Sequence, residues 1–513
     1  MTAALTGITT LDDVLAFVRE AGAQPYGQRL STLAEEAPDR TALVAVSTSG
    51  DETVVTRREL DDLATRTAHV LAAAGVDADS VVAGAVPNGV DIVALGFATW
   101  KLGACFLPVN PKMPEPERDA VLDLVAPTLT VVEDGGVVGR PSLTVSELRG
   151  RRDEAPSDGF EPRIPMPGKM IASGGSTGRP KIIVTETPYV WLDEWALLVG
   201  NALGTRPGQR HLVSGPVYHN WQYDLCFNGL AGGGEVVLMT KFDAALAVDL
   251  IERHRIQYAG LVPTTMRRIA HLPDLDPSRL DSLEAICHTA APCPPALKRE
   301  WLELLGPERV YELYGAAENI GLTVVRGDEW LERPSTVGRP LECEVVIVDE
   351  DGAILPPGEI GTVYVRKPDP TTLGRYEGAA ALDRLEDGAV SVGDLGWLDE
   401  DGFLFLADRR KDLIITGGVN VYPAEVEAVL AEHPDVAEAI VVGIDDDEWG
   451  KRVHAIVELR AGADEDAEAI RSFCRDRLSP PKVPKTVEFV DDIPRSDAGK
   501  ARRTQLGQDR SGA

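Results

Sequence analysis

One stretch of the chain has the residue types needed to hold phosphate. Ser173, Gly174, Gly175, Ser176, Thr177 and Gly178 precede Arg179, Pro180 and Lys181, and the apolar starts KMIA and IIVT flank them. Backbone N–H groups freed by glycine, together with Oγ donors and a terminal ammonium, can wrap phosphate oxygens. A polar Gly/Ser surface loop is the plain alternative, because short motifs match by chance. Gly178 is followed by Arg-Pro-Lys rather than Lys-Ser or Lys-Thr, so the spacing disfavours an ordinary P-loop NTPase or kinase.

Two further residues stand out by their surroundings. Asp224 lies among Trp221, Tyr223, Leu225, Cys226 and Phe227. A lone carboxylate buried there is costly, and a cationic partner is the simplest compensation; an aspartate facing water or capping a helix is the alternative. Lys500 sits in the Pro/Gly-bounded loop PRSDAGK, where an isolated lysine ordinarily reads as a surface charge.

The elements that must position these residues alternate. Residues 60–76 have helical apolar spacing, VVAGAVP at 81–87 reads as a strand, and 91–104 as another helix. The rhythm recurs at 244–270, where an amphipathic helix runs into YAGLVP, and at 283–306. Parallel sheets covered by helices are therefore expected over roughly the first 330 residues. After Arg339 the pattern becomes alternating apolar positions with an Asp-Gly turn and a Pro-Pro-Gly loop, which suits antiparallel strands. The expected organisation is α/β: a large N-terminal domain, 1–410, with two parallel-type sheets and a small β-barrel-like subdomain at about 340–410. A small mobile α+β C-terminal domain, 411–513, follows it, with ADRRKDLIITGG as the boundary.

Charge and cysteine usage exclude several classes. The 513 residues carry 51 Lys+Arg against 82 Asp+Glu, a net −31, which disfavours general nucleic-acid binding. No apolar run approaches the roughly twenty residues of a membrane helix, and Asp12 and Asp13 interrupt any leader-like start. Six dispersed cysteines without a CxxC pair suggest neither a disulfide framework nor structural zinc, and the cytoplasm is the expected compartment.

The loop at 173–181 resembles the signature of the adenylate-forming superfamily of acyl-CoA synthetases, adenylation domains and luciferases. Six further segments match in order: GPVYHN at 215–220, HTAAP at 288–292, YGAAEN at 314–319, VGD at 392–394, DRRKDLIITGG at 408–418 and PRSDAGK at 494–500. The resemblance implies ATP and Mg²⁺ as cofactors and adenylation of a carboxylic acid followed by transfer to a thiol. It implies that Glu318 coordinates magnesium, that Tyr314 stacks on adenine, and that Thr289, Ala290 and Ala291 lie along it. Asp394 would accept the ribose hydroxyls and Arg409 would lie near ribose and phosphate. Lys500 would stabilise the adenylation transition state, with Glu318 and His219 as further catalytic residues. Lys411 would be the hinge that removes Lys500 and brings the Gly417-Gly418 face to the acyl group. Two positions depart from the pattern: Ala317 replaces the usual threonine, removing one hydroxyl from the phosphate site, and Ile182 replaces a small residue.

The implied substrate pocket includes Trp221, Asp224 and Gly315. In amino-acid-activating enzymes a Phe-Asp pair here binds the substrate ammonium, and Tyr223-Asp224 is similar. The frame otherwise resembles acyl-CoA ligases, and the chain stops 13 residues after Lys500 with no carrier domain. Together these features resemble freestanding enzymes that load β-amino acids onto carrier proteins. A coenzyme A ligase for an aryl, bile-acid-like or fatty acid is the alternative within the family. A non-catalytic adenylate-binding protein is opposed by Lys181, Glu318, Asp394, Arg409 and Lys500. Residues 471–513 hold ten Lys+Arg against six Asp+Glu, which makes Arg502 and Arg503 candidate contacts for an acidic carrier.

Overall fold

In the computed structural model the helix Val90–Lys101 is buried at every position from Asp91 onward. A helix apolar on all sides must be covered on all sides, and this one is covered by the strands Val81–Ala85 and Cys105–Pro108 and by the helices Tyr26–Glu36, Arg57–Ala73 and Asn220–Ala231. The structure describes residues 22–511 apart from 136, 138, 175–179, 369–372, 410, 411, 417, 418, 447, 448, 461 and 496–502, and the backbone alone of 174, 195, 408, 409 and 504.

The first sheet runs Arg375–Glu377, Pro180–Thr185, Lys169–Gly174, Cys105–Pro108, Val81–Ala85, Leu129–Val132, Ser142–Thr144. The second begins with the antiparallel edge strand Glu52–Thr56, followed by six parallel strands in the order Thr41–Val46, Glu235–Met239, Arg210–Val213, Tyr258–Leu261, Ala285–His288 and Val310–Gly315. One core fills the space between the sheets. It joins Val82, Phe106 and Val131 to Val213, Leu238 and Tyr258 through the helices Val90–Lys101 and Asn220–Ala231. Where those helices cross, a Cβ at Gly96 would stand 2.8 Å from the Phe227 ring, so only glycine permits the approach. The helices Ala244–Arg253, Pro263–Ala270 and Pro295–Leu305 cover the opposite face of the second sheet.

The parallel expectation fails at two places that matter for chemistry. Lys169–Gly174 and Pro180–Thr185 form an antiparallel hairpin, with Ser173 opposite Lys181. Val310–Gly315 and Leu322–Arg326 also pair antiparallel. The links between these strands are too short for the crossover that a parallel neighbour requires. In the hairpin, Ile182 is fully buried with Leu107 and Val184, on the face turned away from Ser173 and Lys181. The unexpected isoleucine is therefore a packing residue.

Beyond Arg326 the second sheet continues antiparallel through Thr336–Leu341, Leu404–Arg409, Asp394–Leu398 and Gly361–Arg366, the last pairing with Glu344–Val348. These strands enclose their own core of Val345, Ile347, Val363, Val365, Val390 and Leu404. The C-terminal residues fold separately. Val436–Asp446 and Gly450–Leu459 pair antiparallel, Thr486–Val490 adds in parallel, and the helices Pro423–Leu430 and Ala467–Arg475 pack on them through Val426, Leu430, Ile470 and Cys474. The result is mixed α/β, with a large N-terminal sheet domain and a small C-terminal domain, as the alternation and its change of texture indicated.

Candidate active site

The hairpin places Lys181 on the wall of a cleft, and the strand end Val310–Gly315 leads into Glu318 on the same wall. Lys181 Nζ lies 3.2 Å from Glu318 Oε1. Tyr376, on the edge strand paired with Pro180–Thr185, donates its hydroxyl to the same oxygen at 2.5 Å, and Lys181 Nζ sits 3.8 Å from the centroid of the Tyr376 ring. Gly374 N–H donates to the Glu318 carbonyl at 2.7 Å. Glu318, only 6% exposed, is thus fixed at side chain and backbone. Magnesium binds through one or two protein carboxylates and completes its shell with phosphate oxygens and water. Among the described residues no three His, Cys, Asp or Glu side chains converge as a metal site, so Glu318 with nucleotide phosphates is the arrangement that fits.

Tyr314 and Asp394 come together as well. The Tyr314 hydroxyl donates to Asp394 Oδ2 at 2.7 Å, and Asp394 is 6% exposed in register with Arg409 on the neighbouring strand. Thr289, Ala290 and Ala291 leave the end of the strand Ala285–His288 on the same cleft wall. Ala290 has φ +76°, a left-handed conformation uncommon for alanine and of the kind that strained binding sites retain. Behind this strand end Lys298 is fully buried. Its Nζ donates to His288 Nε2 at 2.7 Å and to Glu312 Oε2 at 3.0 Å. Burial, reinforced by the Lys298 charge, holds the His288 imidazolium pKa well below its ordinary value, so the ring is neutral.

Asp224 has a cationic partner, and the protein supplies it. Lys169, first residue of the hairpin strand, brings Nζ to 2.5 Å from Asp224 Oδ1 and 4.7 Å from the centroid of the Tyr223 ring. Asn220, one helical turn before Asp224, donates from Nδ2 to Oδ2 at 3.1 Å. The Lys169 side chain is 8% exposed and that of Asp224 32%. Burial raises the phenol pKa values of Tyr26, Tyr189 and Tyr223, with the Asp224 charge adding to each, so the neighbouring hydroxyls stay protonated. His219 is the N-cap residue of the helix that carries Trp221 and Asp224, and all three line the cleft with Gly315.

Several site assignments lie outside the described residues: Gly175, Ser176, Thr177 and Gly178 of the phosphate loop, the hinge Lys411, Gly417 and Gly418, and Lys500. Arg409 is described by its backbone alone, and Arg502 lies outside. The segment leading to Lys500 does border the cleft, through Asp492 and Arg495. Arg503, a candidate contact for an acidic carrier, is 16% exposed at its side chain and paired with Glu427 at 2.6 Å inside the small domain. One cross-domain contact was not foreseen: Arg267 Nη1 meets Glu438 Oε2 at 2.5 Å, and Arg495 holds the other oxygen of Glu438. Lys169 could have been suspected from sequence as the lone cation heading an apolar strand. Tyr376, Lys298 and Arg267 gave no such signal.

Comparison with known proteins agrees with this geometry. Residues 30–376 match the AMP-binding enzyme family, and residues 425–500 match the AMP-binding enzyme C-terminal domain. The 2-succinylbenzoate–CoA ligase of Bacillus licheniformis is 31% identical over 489 residues, covering 93% of this chain and 98% of the relative. The indoleacetate–CoA ligase of Aromatoleum aromaticum is 30% identical over 480 residues, covering 88% and 92%. The structure of O-succinylbenzoate coenzyme A synthetase from Bacillus subtilis, in complex with ATP and magnesium ion, superposes with a TM-score of 0.80 at 28% identity, covering 94% of this chain and 99% of that one. No described helix is long and apolar enough to cross a membrane. With its family matched over most of its length, the chain belongs to the AMP-binding enzymes, as an acid–thiol ligase that uses ATP and Mg²⁺ and forms AMP.

Proposed function

We propose that the protein is an acyl-coenzyme A ligase for a carboxylic acid with an uncharged, ring-containing tail, such as an aryl or bile-acid-like acid. The observation that carries this reading is the Lys169–Asp224 pair at 2.5 Å. It cancels the one formal charge that the pocket helix Asn220–Ala231 carries, so an acid with an ammonium would bring in a cation with no free counter-ion. Around the pair, Tyr26 stacks on Tyr189 at 4.3 Å, and both line the cleft with Trp221, walls suited to a flat apolar body. The named relatives support the thiol and the ring, since one is a 2-succinylbenzoate–CoA ligase and the other an indoleacetate–CoA ligase.

In this reading the acid carboxylate attacks the α-phosphorus of ATP and pyrophosphate leaves; magnesium neutralises phosphate charge when bound. Glu318 is held toward the phosphates by Lys181 and Tyr376, Asp394 accepts the ribose hydroxyls, and Tyr314 turns from Asp394 toward adenine. Lys500 stabilises the charge that develops on the α-phosphate. The coenzyme A thiol then attacks the acyl carbonyl, and AMP leaves.

The amino-acid reading, with transfer to a carrier protein, keeps one observation in its favour. Asp224 is more exposed than Lys169 and presents its carboxylate edge to the cleft. It requires a substrate ammonium, β-placed or otherwise, to displace Lys169. The test is to incubate the enzyme with ATP, Mg²⁺ and a mixed panel of aryl, steroidal, fatty, α-amino and β-amino acids, once with coenzyme A and once with a holo carrier protein. Mass spectrometry of the thioesters should find acyl-CoA from ring-containing neutral acids. Aminoacyl-carrier as the main product would overturn the proposal in favour of the second reading.

A further inference from the structure

We infer that Lys169 determines acid specificity by acting as a built-in ammonium: it occupies the position beside Asp224 that a substrate cation would otherwise take. The inference rests on the neutral-tail reading above and names the residue responsible for it. Three observations lead to it.

The first is chemical identity. A primary ammonium stands 2.5 Å from Asp224 Oδ1 and over the face of Tyr223, the carboxylate-plus-aromatic environment that would bind the amine of a substrate. The second is position. Lys169, Ile171 and Ser173 alternate onto the cleft face of one strand, so the pair lies about 13 Å from the phosphate-loop end, at four residues of about 3.3 Å each. At that depth it meets the body of the acid and not the reacting carboxylate. The third is asymmetry of burial. Lys169 is the more enclosed partner, 8% exposed, while Asp224 keeps 32% of its side chain exposed. An ion pair with a purely structural role needs neither partner at the substrate surface; here both partners line the cleft, and the carboxylate is the more exposed of the two.

Removing the lysine headgroup should therefore leave a vacant cation site backed by Asp224 and Asn220. The experiment measures ATP–pyrophosphate exchange for matched pairs that differ only by an amine, phenylpropanoate with β-phenylalanine and toluate with aminomethylbenzoate, on wild type and Lys169→Ala. The wild-type ratio within a pair reads the proposed function; the change of that ratio in the variant reads Lys169. Lys169→Ala should move at least one ratio toward the amine by roughly tenfold or more, with a gain in absolute kcat/KM for the amine-bearing acid. Added methylammonium should refill the site, competing with the amine-bearing acid on the variant and leaving wild type unaffected. Lys169→Arg, which keeps a cation, should stay close to wild type.

An unchanged ratio in a Lys169→Ala enzyme that still binds ATP would overturn the inference, as would insensitivity of the variant to methylammonium. If Lys169→Ala does not bind ATP, Lys169→Met, which keeps the apolar stem, is read by the same ratios. A wild-type enzyme that prefers the amine-bearing acids would contradict the proposed function, and the variant ratio would still decide whether Lys169 opposes them.

Discussion

The hydroxyl of Tyr376 and the ammonium of Lys181 converge on the same oxygen of Glu318, at 2.5 Å and 3.2 Å. The three side chains come from an edge strand, a hairpin strand and the loop after Val310–Gly315, so the carboxylate that fits magnesium is aimed by two separate elements.

Tyr376→Phe removes one hydrogen bond to a charged acceptor, a change of about 1.5–3 kcal/mol. The expected result is a fall of roughly ten- to a hundredfold in kcat/KM, with a raised requirement for Mg²⁺ in a metal titration. Little change in KM for the acid should accompany it.

Lys500→Ala should abolish adenylate formation and leave ATP binding intact, because the residue is assigned to the transition state alone. Thioester formation from a preformed acyl adenylate should survive. Adenylation at near the wild-type rate would show that the role inferred from PRSDAGK is wrong.

The Arg267–Glu438 pair crosses from the large domain to the small one, and Glu438 also holds Arg495 in the segment leading to Lys500. Glu438→Gln should slow the adenylation half-reaction by about tenfold, the scale of a partly buried ion pair. The thioester half-reaction, measured from preformed adenylate, should not slow. Equal losses in both steps would reduce the pair to general stability.

His211 gives the acid side of the stability profile a specific cause. Burial against Tyr258 and Gly229 depresses its pKa from 6.5 to about 4. The unfolded chain therefore takes up this proton first as pH falls. The contribution is complete above about pH 6.5, is lost progressively toward pH 4, and amounts to about 3 kcal/mol at 1.36 kcal/mol per unit. His211→Gln should flatten the decline of the thermal midpoint over that range. An unaltered slope would contradict the assignment.

What could be read from the sequence was local. Apolar spacing located the helices Arg57–Ala73 and Val90–Lys101 and the strand Val81–Ala85, and the change of texture after Arg339 located the antiparallel strands. The stretch around Ser173–Lys181 could be read as a candidate phosphate loop because its backbone and hydroxyl donors form a contiguous set. Partner choice across elements was not legible. Asp224 needs a cation by any desolvation argument, yet its lysine stands 55 positions earlier on a strand of the other sheet, and only the topology brings them together. The Lys298–Glu312 pair behind the strand Ala285–His288 and Tyr376 beside Glu318 were hidden for the same reason.

On the proposed function, the Lys169–Asp224 pair leaves the acid pocket without net charge, and the enzyme therefore selects an uncharged tail. The most direct test is the wild-type ratio of kcat/KM for phenylpropanoate to that for β-phenylalanine, each measured by pyrophosphate release at saturating ATP and Mg²⁺. A cation brought in without a counter-ion costs about 3 kcal/mol or more, so the account predicts a ratio of roughly a hundred or more in favour of phenylpropanoate. A ratio below one would contradict it.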